Sequence, residues 1–103
     1  LLPYVMRYNL PARVPEFANL AVLLGATPDL TGTDAELAAR AVEAVEQLRT
    51  DIGIPPRLRD LGVTEAMLPG FADKAFGIKR LMRVNPRVPA SADELLALYR
   101  AAF

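Results

Sequence analysis

The sequence predicts an all-α fold, a bundle-like helical domain over residues 1–103. Three observations carry this. Apolar residues recur at three- and four-residue steps along the chain, and no run alternates apolar and polar residues between hairpin turns. Two phrases, "TDAE" and "SADE", set a hydroxyl residue three positions before a glutamate at the head of an apolar stripe, the pattern of a capping box. The nine prolines stand at the boundaries these stripes imply, so they punctuate helices rather than mark disorder.

The first element is a helix end over Leu1 to Asn9, closed near Pro11. It opens on "LLPYVMRYN" without a polar lead-in, and reads as the continuation of a helix that begins upstream. Tyr4, Met6 and Tyr8 have helical spacing and are expected to pack rather than to line a pocket. Pro15 then stands where a first helical turn tolerates it, and Phe17, Leu20, Ala21 and Leu24 follow on one face. Val22 and Leu23 widen that face, which predicts burial on more than one side. Gly25 supplies the left-handed stop.

The third helix starts at Thr33, with Glu36 placed to return the capping bond. Leu37, Ala41, Val45, Leu48 and Ile52 form its apolar stripe, and Gly53 ends it. Glu36 and Arg40 are in the favourable i,i+4 order, worth only about 0.3 kcal/mol, so packing of the stripe must decide the helix. "IPPRLRDLGV" cannot extend it, since adjacent prolines remove two amide donors and force extended backbone before each ring. Thr64 caps a short turn, and a longer helix restarts at Pro69, burying Phe71, Ala72, Ala75 and Phe76. "NPR" at Asn85 to Arg87 breaks the chain, and Ser91 with Glu94 opens a last helix that buries Leu95, Leu98, Tyr99 and Phe103.

Composition narrows the chemistry. A chain of 103 residues suits one domain and one core, burying about 60–70% of the surface of the unfolded chain. Twelve basic residues balance twelve acidic ones, which argues against a bulk nucleic-acid binder. There is no Cys and no His, so no disulfide, no ordinary zinc or iron site and no Ser-His-Asp or Cys-His arrangement can be completed from these residues. No basic lead and cleavage site marks a signal peptide, and "FANLAVLLGA" is about half of the ~20 residues a membrane span needs. A cytoplasmic chain without membrane or nucleic-acid partners is expected.

Two clusters remain. The carboxylates Asp29, Asp34, Glu36, Glu43 and Glu46 fit helix capping and a solvated face better than acid–base work. Lys74, Lys79, Arg80, Arg83 and Arg87 form a basic run with only Asp73 just before it. A solvated helix end explains that run best; a phosphate site lacks a glycine loop, because the six glycines are scattered. Leu81, Met82 and Val84 between the charges could also meet another domain or subunit.

The phrases "LLPYVMRYN", "LAVLLGA", "EAVEQLRTDIGIPPRLRDLGV", "NPR" and "SADELLALYRAAF", in that order, resemble the C-terminal part of the iron-containing alcohol dehydrogenases. The likeness covers nearly the whole chain and is nearest to the lactaldehyde reductase and propanediol oxidoreductase branch. It implies a two-domain, dehydroquinate synthase-like parent in which an N-terminal α/β domain binds NAD(P) and a helical C-terminal domain binds Fe²⁺ or Zn²⁺. The family's metal ligands, an Asp and three His, would lie upstream of Leu1, as would the phosphate loop. In such a parent the metal acts as a Lewis acid on the substrate oxygen while hydride passes to the nicotinamide.

The resemblance assigns no catalytic, cofactor-binding or metal-binding residue to this chain. Many relatives carry a "CT" phrase shortly before "NPR", bordering the substrate pocket, where this chain has "IKRLMRV". Leu81 and Met82 are therefore the expected pocket border. The expected partners are the upstream domain, or a second copy meeting exposed apolar surface, with a small alcohol or aldehyde as substrate of the parent. A competing reading from another class is a free-standing helical interaction module that uses the basic run to hold a partner.

Overall fold

The computed structural model describes residues 1–26 and 32–103. Among them are six α-helices, three short 3₁₀ turns and no strand: α1 (Leu2–Asn9), α2 (Val14–Leu23), α3 (Asp34–Asp51), α4 (Leu68–Phe76), α5 (Lys79–Met82) and α6 (Ala92–Ala102). The expected all-α class is what is found. The chain divides into two compact units, residues 2–54 and Pro55–Phe103, the latter including Leu1. Where length predicts one core, the buried residues fall into two sets, and the division is at the Pro55–Pro56 pair that no helix can cross.

In the first unit α2 packs on α3, and α1 also lies against α3. The buried positions of the first pair are mostly small: Ala18 and Ala21 on α2, with Leu37, Ala38, Ala41 and Val42 on α3. With so little side chain between them, the helices meet close to their backbones. Met6 and Pro3 bury the inner face of α1, while Tyr4 and Tyr8 are half-buried.

Both long-helix ends close as the glycines predict. Gly25 (φ +69°) and Gly53 (φ +78°) take the left-handed conformation, which costs other residues more because of Cβ. At each end two amides turn back to orphan carbonyls: Gly25 N–H to Val22 O and Ala26 N–H to Ala21 O, then Gly53 N–H to Thr50 O and Ile54 N–H to Arg49 O. At the other end of α3, Thr33 Oγ1 accepts the Glu36 amide at 3.2 Å, so this predicted cap forms.

Two burial expectations for this unit require correction. Val22, Leu23 and Leu24 are exposed, Leu23 by 82%, so α2 is covered on one face and not around its girth. The α3 stripe is buried only in its first half: Leu48 and Ile52 are more than half exposed. The physical reason is the length of the partner. α2 has ten residues and α3 has eighteen, so α2 spans about 15 Å of a helix about 27 Å long.

In the second unit α4 packs on α6, burying Leu68, Ala72, Leu95 and Ala102. A 3₁₀ turn at Leu58–Leu61 opens with the Arg57 N–H donating to Asp60 Oδ2 at 3.3 Å. A second 3₁₀ turn at Glu65–Met67, after Thr64, leads directly into α4, with Pro69 in its first turn. The single long helix expected from Pro69 is in fact two. α4 stops at Phe76 because Gly77 favours helix poorly and Ile78 leaves helical backbone at ψ 71°, after which α5 makes one turn. The second capping box also differs from expectation. Ser91 is the N-cap of α6 in extended backbone, but its side chain accepts no capping bond.

Candidate functional site

An open depression of about 380 Å³ lies in the second unit, lined by Leu1, Leu58, Phe71, Lys74, Ala75, Ile78 and Tyr99. Its floor follows from helical period. Phe71, Lys74, Ala75 and Ile78 recur at steps of three, four and seven from Phe71, which brings them to one face of α4 and its exit. Tyr99 comes from α6 and stacks obliquely on Phe71, with ring centroids 5.9 Å apart and planes at 52°. Leu58 is supplied by the 3₁₀ turn.

That turn is fixed to the end of α6 through one residue, Arg59. Arg59 Nε donates to Phe103 O at 2.8 Å, its backbone N–H reaches the same oxygen at 3.4 Å, and its guanidinium lies 4.8 Å over the Phe103 ring. A planar cation can make the hydrogen bond and cover the aromatic face together. Among the described residues, Lys74 supplies the one charged side chain in the depression's lining. The site can accept an apolar group; it holds neither a nucleophile–base pair nor a converging set of donors.

Sequence-predicted residues sit elsewhere. Leu81 is 51% exposed on α5 and Met82 is half-buried; neither lines the depression. Phe71 and Ala75, expected as core, are half-buried because one side of their face is open. The signal that could have found the site was the same i, i+3, i+4, i+7 row, which periodicity alone assigns to core or cavity alike. Lys79, Arg80 and Arg83 are exposed on and after α5, and Lys74 and Arg87 are exposed on either side.

Among the carboxylates, Asp34 and Glu36 occupy the first turn of α3, where acidic groups favour the helix dipole, and Glu43 is exposed. Glu46 accepts a short charge-assisted bond from Arg7 Nη1 at 2.6 Å. That bond holds the Glu46 carboxyl below its usual value and raises the Arg7 guanidinium above its own. Both are ion-pair effects on a partly exposed face. Asp29 lies outside the described residues.

The residues present do not fit a catalytic metal. The chain has no His or Cys, and among the described residues no three His, Cys, Asp or Glu side chains converge on a point. No helix among the described residues is long and apolar enough to cross a membrane.

Comparison with known proteins shows what this helical chain is similar to. It is 42% identical to the 1,3-propanediol dehydrogenase of Klebsiella pneumoniae over 104 residues, covering 100% of this chain and 26% of that protein. The lactaldehyde reductase of Escherichia coli (strain K12) is 38% identical over 103 residues, with the same coverage. The crystal structure of a 1,3-propanediol oxidoreductase superposes with a TM-score of 0.89 at 41% identity, over 99% of this chain and 26% of that one. The chain thus spans about a quarter of the length of the relatives it matches. The family model described as Fe-containing alcohol dehydrogenase family, C-terminal, matches residues 1–103, and the chain belongs to that family as part of its C-terminal region.

Proposed function

We propose that these residues are the C-terminal helical domain of a metal-dependent, NAD(P)-linked alcohol dehydrogenase or aldehyde reductase, and that they are inactive by themselves. The reaction of the parent is hydride transfer: a short-chain alcohol loses hydride to NAD(P)⁺ and a proton to solvent, leaving the carbonyl compound, or the reverse. The observation that carries this reading is the match along all 103 residues to about a quarter of each relative. A chain without His, Cys or a convergent acidic cluster among its described residues is consistent with metal ligands and nucleotide site lying upstream. The parent would be cytoplasmic, with iron or zinc and NAD(P) as its cofactors.

Within that parent Leu81 and Met82 border the substrate pocket. Leu81 is more than half exposed among Lys79, Arg80 and Arg83, which leaves its side chain free to meet a substrate and supports this reading. Replacing Leu81 by Ala in the parent should move the preference toward longer alcohols, seen in KM across a chain-length series; an unchanged series removes Leu81 from the border.

The inactivity is tested directly. The purified 103 residues, given Fe²⁺, NAD and a short diol, should form no NADH, whereas the parent should. Turnover by the 103 residues alone would overturn the reading. The second reading, an interaction module, draws on the exposure of Arg80 and Arg83. Reversing both charges should abolish capture of a partner if that reading holds, and retained capture removes it.

A further inference from the structure

We infer that the depression in the second unit is the seat of the polypeptide directly upstream of Leu1 in the parent, and receives its apolar side chains. This rests on the reading that a longer chain precedes Leu1. Leu1 itself lines the depression, so in a longer chain the preceding residue is bonded to one of its lining residues. The relatives extend to about four times the matched length, so there is chain to supply the occupant.

Tethering favours this occupant over any free one. A segment joined through Leu1 competes at the effective concentration of a short linker, in the millimolar range or above, whereas a second copy must associate from solution. The lining matches in kind: Phe71, Ile78 and Tyr99 offer apolar surface, and the methylene stem of Lys74 can lie along a neighbour while its ammonium stays in water. Ile78, already 42% exposed, is where the site can be altered without disturbing what lies beneath it.

The experiment is amide hydrogen exchange on the full-length parent carrying Ile78→Glu, with Ile78→Ala as a second variant. Protection directly upstream of Leu1 should fall about tenfold or more with Ile78→Glu and by less with Ile78→Ala, while α4 and α6 keep theirs. Should Ile78→Glu unfold α4 and α6, Ile78→Ala decides. Unchanged upstream protection with α4 and α6 intact overturns the inference, as does a gene with no polypeptide before Leu1. An oligomer that Ile78→Glu dissociates without altering upstream exchange assigns the depression to a second copy and also overturns it. The unsubstituted parent's NAD(P)-linked alcohol turnover is measured separately, so failure of the functional reading is distinguished from failure of this one.

Discussion

Residues 2–54 and residues 55–103 are built from similar amphipathic helices, yet their interiors follow different rules. The first unit buries Ala18, Ala21, Ala38 and Ala41 on two packed helices, with Leu37 and Val42 as the larger buried side chains of that pair among the described residues. The second buries Leu68 and Leu95 beside Ala72 and Ala102, stacks Phe71 on Tyr99, and ties a turn to the end of α6 through Arg59. The first unit is limited by how close two backbones can come, the second by how well larger side chains fill space. The two should therefore fail in opposite directions when side-chain volume is changed.

The largest expected effect is in the second unit. Leu68 has 0% exposure, so Leu68→Ala leaves a cavity that neighbours fill only in part, and should cost about 2–5 kcal/mol. Urea unfolding followed by hydrogen exchange should place the loss in α4 and α6. A loss under 1 kcal/mol would mean that this interior collapses easily and the contrast with the first unit is false.

The converse change belongs to the first unit. Ala21, also at 0% exposure, faces a close helix contact, and Ala21→Leu should cost about 1–3 kcal/mol through overpacking, since leucine is itself a good helix former. The exchange of α2 and α3 amides reads it. If Ala21→Leu proves neutral or stabilising, small side chains are not what sets this interface.

A sharper comparison uses one motif found in both units. Thr33→Ala removes an observed cap and should cost about 1 kcal/mol, whereas Ser91→Ala removes no capping bond and should stay within about 0.5 kcal/mol. Equal losses in thermal unfolding would show that the two ends are not different in solution.

The smallest effect concerns pH. Glu46 in the first unit has a depressed carboxyl, chiefly from its bond to Arg7, so its contribution is complete above the ordinary glutamate value. It is lost as pH falls below about 4, through the lower value of the folded state. Because Arg7 is raised, its side of the pair persists from acid up to the alkaline range, and neutral pH changes nothing. The pair is partly exposed and worth about 0.2–1 kcal/mol, so Glu46→Gln should flatten the acid limb of α1 and α3 protection by that much. An unaltered acid limb would remove the pair from the account.

Local rules explain which features were legible before any coordinates. Gly25 and Gly53 announced their helix ends because a left-handed residue without Cβ is a property of the residue itself. Thr33 announced its cap for a similarly local reason, while Ser91, identical in pattern, did not deliver one. A capping phrase fixes where a helix starts; the hydroxyl's rotamer depends on surroundings that the phrase does not contain. Likewise Phe71 and Ala75 were expected to face inward, but the period did not say that part of their face would be open.

What the sequence determined by itself is therefore the helical class, the breaks at Pro55–Pro56 and Asn85–Arg87, and the lack of His and Cys, all of which are properties of single residues or short windows. The five ordered phrases also carried the family likeness, which the comparisons sustain over residues 1–103. Only the tertiary structure decided that α2 and α3 meet through alanines, that Leu23 and Ile52 are left exposed, and that α4 and α6 line an open depression together with Leu1. Periodicity states which face of a helix is apolar, but burial is a property of two surfaces, and the second surface is supplied by residues distant in sequence.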